Sequence, residues 1–296
     1  MKVLAWVRAS QAILFEASAV PACVGTAAAV SAGSTFVLLY FVLILISLLG
    51  IQAGANLLKG YYEAQDRSVP PSSAGSWIAF DSGAAVGLAG NPRNVLRAAW
   101  ACMAVGVMAG LVLVSLTLSP LLLAFGLAGV VLAWSYSSPP LKLSYRGIGE
   151  MSTFLAFGPI MTVGATVAYG TAGWTESLLA SLVLGFLAAS ISFSRYFPNE
   201  AEDRSKAKRT PVTILGKPSA AAVLSGLLWA AIGVTVLWFA ADPRRVLALV
   251  SLPFSLGAVA ALPKAVAGRV RFEVCIGLTV LAHVAAGAGL VLALLA

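Results

Sequence analysis

Asn56, Lys59, Glu63 and Asp66 recur at spacings of three, four and three. On a helix that spacing gathers them on one face. A second group of the same character is formed by Asn199, Glu202, Asp203 and Lys206. Asn, Asp and Glu oxygens are the hard donors that magnesium takes, usually through one or two carboxylates, several waters and the phosphates of a substrate. Beside them stand Lys59, Arg67, Arg204, Lys206, Lys208 and Arg209, whose ammonium and guanidinium groups suit the oxygens of a diphosphate. Two such stripes facing each other across the mouth of a helix bundle make a diphosphate site, with Mg2+ expected at Glu63, Asp66, Asn199 and Asp203.

The elements that must position these stripes belong to a membrane. The chain has 296 residues, 60% of them hydrophobic and only 10% charged, with a mean hydropathy of +0.94. Soluble domains carry about half and about a quarter. Nine apolar stretches of about 20 residues are each long enough to cross roughly 30 Å of hydrocarbon. They cover approximately residues 10–31, 35–57, 95–116, 119–136, 150–170, 174–194, 218–241, 246–263 and 272–295. Strands of a β-barrel would be short and alternating. The expected fold is therefore all-α: nine transmembrane helices in a single bundle over residues 1–296, with a cytoplasmic cap over a central cavity. MKVLAWVR at the start has the basic character of a signal peptide, but the apolar run after it is too long and further spans follow, so it reads as a retained helix.

The formal charge of +8 has a membrane explanation rather than a nucleic-acid one. Of the 19 Lys and Arg residues, all but Arg244 and Arg245 fall at the N-terminus or in alternate loops. The positive-inside rule then puts the N-terminus and those loops in the cytoplasm and the C-terminus outside. The chemistry is expected in the cytoplasmic loops at about 58–94, 136–150 and 195–217. Cys23, Cys102 and Cys275 lie in separate apolar segments and point to neither a disulfide framework nor a zinc site. Glu16 is a lone carboxylate in an apolar segment, a costly placement that marks function unless a helix–helix hydrogen bond accounts for it. His283, the single histidine, reads as a packed neutral side chain, and Trp77, Trp174 and Trp238 read as interface anchors.

On these residues the chain resembles the UbiA superfamily of intramembrane prenyltransferases, closest to the menaquinone branch that prenylates 1,4-dihydroxy-2-naphthoate. Tyr136-Ser-Ser-Pro139-Pro140-Leu-Lys142-Leu-Ser-Tyr145-Arg146-Gly147-Ile-Gly149-Glu150 is similar to that family's segment Y-S-x-P-P-L-K-L-x-Y-R-G-L-G-E almost residue for residue. Arg195-Tyr196-Phe197-Pro198-Asn199 through Asp203 to Lys208-Arg209-Thr210 resembles its second Asp-rich motif, with Asp203 retained and Asn199 in place of the first aspartate. The first motif departs furthest: within Asn56-Leu-Leu-Lys59-Gly60-Tyr61-Tyr62-Glu63, Lys59 and Gly60 replace an asparagine and an aspartate.

The resemblance implies an enzyme that transfers an isoprenoid from a prenyl diphosphate to a small aromatic acceptor within the lipid bilayer, with Mg2+ as cofactor. Catalytic roles are expected for Lys59, Glu63, Asp66, Asn199 and Asp203, with Lys59 a departure from the family motif and Asp66 off the family's later aspartate. Diphosphate contacts are expected from Asn56, Lys59, Arg67, Lys142, Arg146, Arg204, Lys208 and Arg209, and a substrate pocket at Glu16, Tyr61, Tyr136, Tyr145 and Tyr196. Lys59 is expected to stand in for one magnesium. Two other readings stay open: a terpene cyclase of the same fold, and a non-enzymatic lipid-binding or transport relative.

Overall fold

A computed structural model describes residues 2–65 and 91–296. Asp66, Arg67 and Trp77 lie outside the described residues. The described chain is helical throughout, with an isolated bridge between Arg146 and Arg209 and no strand. Its α-helices are α1 Lys2–Ala9, α2 Glu16–Ser31, α3 Leu38–Gln65, α4 Pro92–Thr117, α5 Pro120–Ser135, α6 Gly149–Leu155, α7 Met161–Val167, α8 Trp174–Ser194, α9 Glu200–Ser205, α10 Pro211–Leu215, α11 Lys217–Ala241, α12 Leu252–Val266 and α13 Phe272–Leu295.

Local sequence explains several of the starts. Proline is tolerated at a helix's first position, where its missing N–H has no intrahelical partner. Pro92, Pro120 and Pro211 all stand there, each after a side chain that caps the helix: Asn91 accepts from the Arg93 N–H, Ser119 from Leu122 and Thr210 from Thr213. Pro159 falls inside an apolar helical stretch instead. There the chain widens into a π-helical turn, Ala156–Ile160, between α6 and α7. Such turns absorb a break in the i→i−4 ladder, which a proline imposes.

Seven helical segments among the described residues are long and apolar enough to cross a membrane: 12–31, 38–65, 92–117, 174–194, 217–241, 245–266 and 272–295. The other two expected spans fall on α5, with 16 residues, and on the interrupted rod from α6 through the π turn to α7.

Packing joins neighbours in chain order: α2 against α3, α3 against α4, α4 against α5, α5 against α7 and the π turn, α8 against α11, and α11, α12 and α13 together, with α13 returning to α2. α8 runs through the interior, where Val183, Leu184 and Leu187 join Leu228, Trp238, Ala258, Ala286 and Leu290 in one apolar cluster. Small residues allow the closest approach, as helix pairs in lipid require. A Cβ on Gly106 of α4 would sit 2.7 Å from the Ser47 carbonyl oxygen and 2.8 Å from the Ile51 nitrogen of α3. Two polar cross-ties add to this. Glu16 Oε2 lies 2.6 Å from His283 Nδ1 and joins α2 to α13.

The second tie is at the far end of the bundle from residues 59 and 203, where Glu176 accepts from Trp238 Nε1 at 3.0 Å and from Arg245 Nη2 at 3.0 Å. The Arg245 guanidinium also lies over the Trp238 ring, 4.7 Å from its centre. Trp238 is thus buried rather than an interface anchor, because its indole N–H has a carboxylate to bond. Trp174 remains exposed.

The α3–α4 contact yields a measurable expectation. Gly106→Val should destabilise the fold by about 1–3 kcal/mol through overpacking, read as a lower Tm in detergent. Gly233→Ala, where no atom lies within 4 Å, should leave Tm unchanged or slightly raised.

Candidate functional site

Both stripes meet at one end of the bundle. α3 continues past its apolar run to Gln65, so Lys59 and Glu63 project one turn apart on the same face. The second stripe is built differently from the continuous helix its spacing predicts. α8 stops at Ser194, and Asn199 precedes the six-residue helix α9, which carries Glu202 and Asp203 on its buried side. A tight reversal then follows. Ala207 takes a left-handed φ of 51°, the Lys208 N–H bonds the Asp203 carbonyl at 2.9 Å, and the Ala207 N–H bonds the Arg204 carbonyl at 3.1 Å. This is a Schellman ending, and it folds Lys208 back beside Asp203.

The result is a buried bridge. Lys208 Nζ lies 3.0 Å from Glu63 Oε1 and 3.4 Å from Asp203 Oδ1, with all three side chains no more than 7% exposed. The rings of Tyr145 and Tyr196 flank the ammonium, with centres at 5.4 and 5.6 Å. Burial alone would lower the Lys208 pKa, but Glu63 and Asp203 hold it above the usual lysine range. Burial pushes the Asp203 carboxyl above its ordinary value, with Lys208 opposing. It also holds the Tyr196 phenol well above its ordinary value. Lys208 is a cation fixed between two carboxylates.

Lys59, Glu63, Tyr136, Ser192, Arg195, Tyr196, Asn199, Glu202, Asp203 and Lys208 together line a small polar cradle. Directly below it opens an apolar cavity of about 300 Å³ between α3, α4, α5, the π turn and α8. Its walls include Ile44, Leu48, Leu113, Leu122, Phe125 and Phe157. Four residues line both spaces: Lys59, Tyr136, Ser192 and Arg195. Tyr136 Oη and Ser192 Oγ are 3.3 Å apart, and Arg195 Nη2 donates to Gln11 Oε1 at 3.1 Å. Half-buried Arg195 has its pKa lowered by burial.

The remaining expected residues divide. Asn56 lines the apolar cavity, tied by Nδ2 to the Ser10 carbonyl at 2.9 Å. Lys142 stands over the Tyr145 ring at the edge of the cradle, 4.9 Å from its centre. Arg209 is exposed, and its main-chain N–H bonds the Tyr145 carbonyl at 3.1 Å, joining the two loops. Arg146 is exposed, with Nη2 on the Pro140 carbonyl at 2.8 Å.

Three expected residues stand apart. Arg204 turns to the surface, where it pairs with Glu200 at 3.0 Å, because its place on α9 faces away from Asp203. Glu16 does not line the cavity; it is spent on His283. Tyr61 packs edge-on against Tyr62, also away from the cavity. Sequence reasoning passed over Gln11, Gln52 and Ser192, and it quoted Arg195 in the second motif without giving it a site role. Gln52 was within reach, since it continues the Asn56, Lys59, Glu63 stripe one turn earlier.

The fit of a magnesium ion turns on Asp203. Its Oδ2 is buried with no hydrogen-bond partner among the described residues, a costly condition that a cation relieves. Asn199 lines the same cradle. Glu63 Oε1 is engaged by Lys208, and no group of three His, Cys, Asp or Glu that could hold a metal occurs among the described residues. The donor set fits one ion held through Asp203 and completed by diphosphate oxygens.

Comparison with known proteins agrees with this architecture. Residues 18–271 match the UbiA prenyltransferase family. The chain is 30% identical over 178 residues to 1,4-dihydroxy-2-naphthoate octaprenyltransferase of Mycobacterium tuberculosis, a match covering 60% of this chain and 61% of that protein. It is 26% identical over 250 residues to the Bacillus subtilis protein of the same name, covering 82% of this chain and 77% of the other. The match thus spans about three fifths of the mycobacterial relative's length. Among solved structures, a UbiA homolog from Archaeoglobus fulgidus bound to GPP and Mg2+ superposes with a TM-score of 0.69 at 15% identity, covering 97% of this chain and 99% of that one. At that identity the likeness shows the fold.

The bridge can be tested by itself. Lys208→Met leaves two buried carboxylates facing each other and should cost about 3–5 kcal/mol, seen as a large fall in Tm. Adding Glu63→Gln should restore part of it; an unchanged Tm in the single variant would contradict the bridge.

Proposed function

The chain belongs to the UbiA prenyltransferase family, and from that premise we propose that it transfers an isoprenoid from a prenyl diphosphate to a dihydroxynaphthoate-like aromatic acceptor. The observation that carries this reading is the continuity of the polar cradle with the apolar cavity through Lys59, Tyr136, Ser192 and Arg195. A prenyl diphosphate has a polyanionic head and a hydrocarbon tail, and one such ligand fills both spaces.

In the reaction, the bond between the allylic carbon and the diphosphate oxygen breaks, and its electron pair leaves with the diphosphate. Lys59 and Arg195, at the junction, meet the charge that develops there. Fixed cations aimed at developing charge in a water-poor site supply most of the stabilisation in such steps. Asp203 and Asn199, which line the same cradle, would hold magnesium against the diphosphate; when bound, the ion supplies Lewis-acid stabilisation of the leaving group. Lys208 keeps Glu63 and Asp203 charged and in place, and Lys142 guards the rim. The electron-rich ring carbon of the acceptor forms the new carbon–carbon bond, and the ring regains aromaticity when the attacked carbon loses its proton, or its carboxylate as carbon dioxide, the electron pair of the broken bond returning to the ring. The apolar walls exclude water, which would otherwise capture the allylic cation.

The same reading places nine crossings in one domain, with α5 and the α6–π–α7 rod completing the seven long ones. The N-terminus and the cradle lie on the cytoplasmic side and the C-terminus outside, as the charge distribution favours.

Incubation of the purified protein with Mg2+, geranylgeranyl diphosphate or a longer homologue, and 1,4-dihydroxy-2-naphthoate should give acceptor-dependent release of diphosphate and a prenylated naphthalene. Release without acceptor, with a cyclic hydrocarbon product, indicates cyclisation; no release from any donor indicates a non-enzymatic relative. Within the active protein, Lys59→Ala should lower kcat/KM by roughly a hundredfold, whereas Lys59→Arg should retain most activity. Equal losses would remove Lys59 from the charge-bearing role.

A further inference from the structure

Two carboxamides inside the apolar cavity have no task in the scheme above. Gln11 and Gln52 both line it and are only 2% and 6% exposed. Their orientations are set by protein partners. Gln11 Oε1 accepts from Arg195 Nη2, so its Nε2 is turned the other way; Gln52 Nε2 donates to the Leu14 carbonyl at 2.9 Å, which leaves its Oε1. Gln11 Nε2 and Gln52 Oε1 are buried without a hydrogen-bond partner among the described residues. One is a donor and the other an acceptor.

An orphaned buried amide atom is costly, because it has given up water without gaining a partner. The chain also accepts backbone strain here, since Gln11 is a non-glycine residue at φ 55° in the break between α1 and α2. Strain of this kind collects at ligand sites. An isoprenoid tail offers neither amide a partner. A ligand that satisfies both must bring a hydroxyl for Gln52 and an acceptor oxygen for Gln11, and the Arg195 guanidinium lining the same cavity favours an anionic acceptor such as a carboxylate. Gln52 lies seven residues before Lys59 on the same stripe of α3, about 10 Å deeper along the axis at 1.5 Å per residue. That offset is the scale of one fused aromatic ring system below the diphosphate.

We propose that Gln11 and Gln52 form the acceptor subsite: a hydroxyarene carboxylate sits in the head end of the cavity, its hydroxyl donating to Gln52 Oε1 and its carboxylate accepting from Gln11 Nε2. The assignment rests on the prenyl-transfer reading for its role, but binding tests it separately from turnover.

Three probes read the two contacts by quenching of protein fluorescence: 1,4-dihydroxy-2-naphthoate, 1,4-naphthalenediol, which lacks the carboxylate, and 2-naphthoate, which lacks the hydroxyls. Gln52→Leu should weaken dihydroxynaphthoate and naphthalenediol about tenfold and leave 2-naphthoate within about twofold. Gln11→Met should weaken dihydroxynaphthoate and 2-naphthoate about tenfold and leave naphthalenediol within about twofold. Farnesyl thiolodiphosphate should bind Gln52→Leu as it binds the parent, which establishes that the fold and cradle are intact; Gln11→Met also removes an acceptor of Arg195, so its fold is checked by Tm, and the variants are scored separately, so either one decides. Equal weakening of all three probes, or no weakening of dihydroxynaphthoate, overturns the subsite. A parent protein that binds the probes in this pattern but transfers no isoprenoid overturns the prenyl-transfer reading and leaves the subsite standing.

Discussion

Everything at the functional end of this bundle depends on one ammonium group held between two carboxylates. Lys208 joins the end of α3 to the turn after α9, elements 145 residues apart in sequence. In a medium of low dielectric the three charges cannot separate without leaving one of them bare. The bridge therefore fixes the distance between the two halves of the cradle, and through Lys59 and Arg195 the mouth of the cavity below. Small residues at the α3–α4 contact hold one wall of that cavity, and the π turn at Pro159 forms another.

Much of the fold was readable because a bilayer demands long apolar runs, and composition displays them directly. The runs on α5 and on 150–170 were legible as apolar segments, but not their form. A 16-residue helix and a rod widened at Pro159 follow from capping and proline chemistry that hydropathy averages away. Likewise Trp238 has the sequence signature of an interface residue, and only the approach of Glu176 and Arg245 in space makes it a core one.

At the site, helical spacing located Lys59 and Glu63 because α3 is a continuous helix. The same argument applied to Asn199 through Lys206 picked out Asn199, Glu202 and Asp203, which line the cradle by a different geometry, since α9 is short and Ala207 reverses the chain. That reversal turns Lys208 from one basic residue among several into the centre of the cradle. Spacing had no means to separate Arg204, which faces solvent, from Lys208 four residues later. Glu16 was recognisable as unusual, but its partner His283 lies 267 residues away. Gln11 and Gln52 were invisible to a search for charge: an amide acts here through the direction of a single atom.

The backbone bond from Arg209 to the Tyr145 carbonyl has a consequence for how sequence can drift in this protein. It stitches the loop with Pro139 and Pro140 to the turn with Lys208 through main-chain atoms, so both segments are constrained in length and direction whatever side chains they bear. An inserted residue in either would slide the register and pull the ammonium off its carboxylates. Among the described residues the end of α3 shows no such main-chain tie, and it reaches the cradle through the side chains of Lys59 and Glu63. Ligand types there can be exchanged one at a time on an unchanged frame, and that is where Lys59 and Gly60 stand in place of an asparagine and an aspartate.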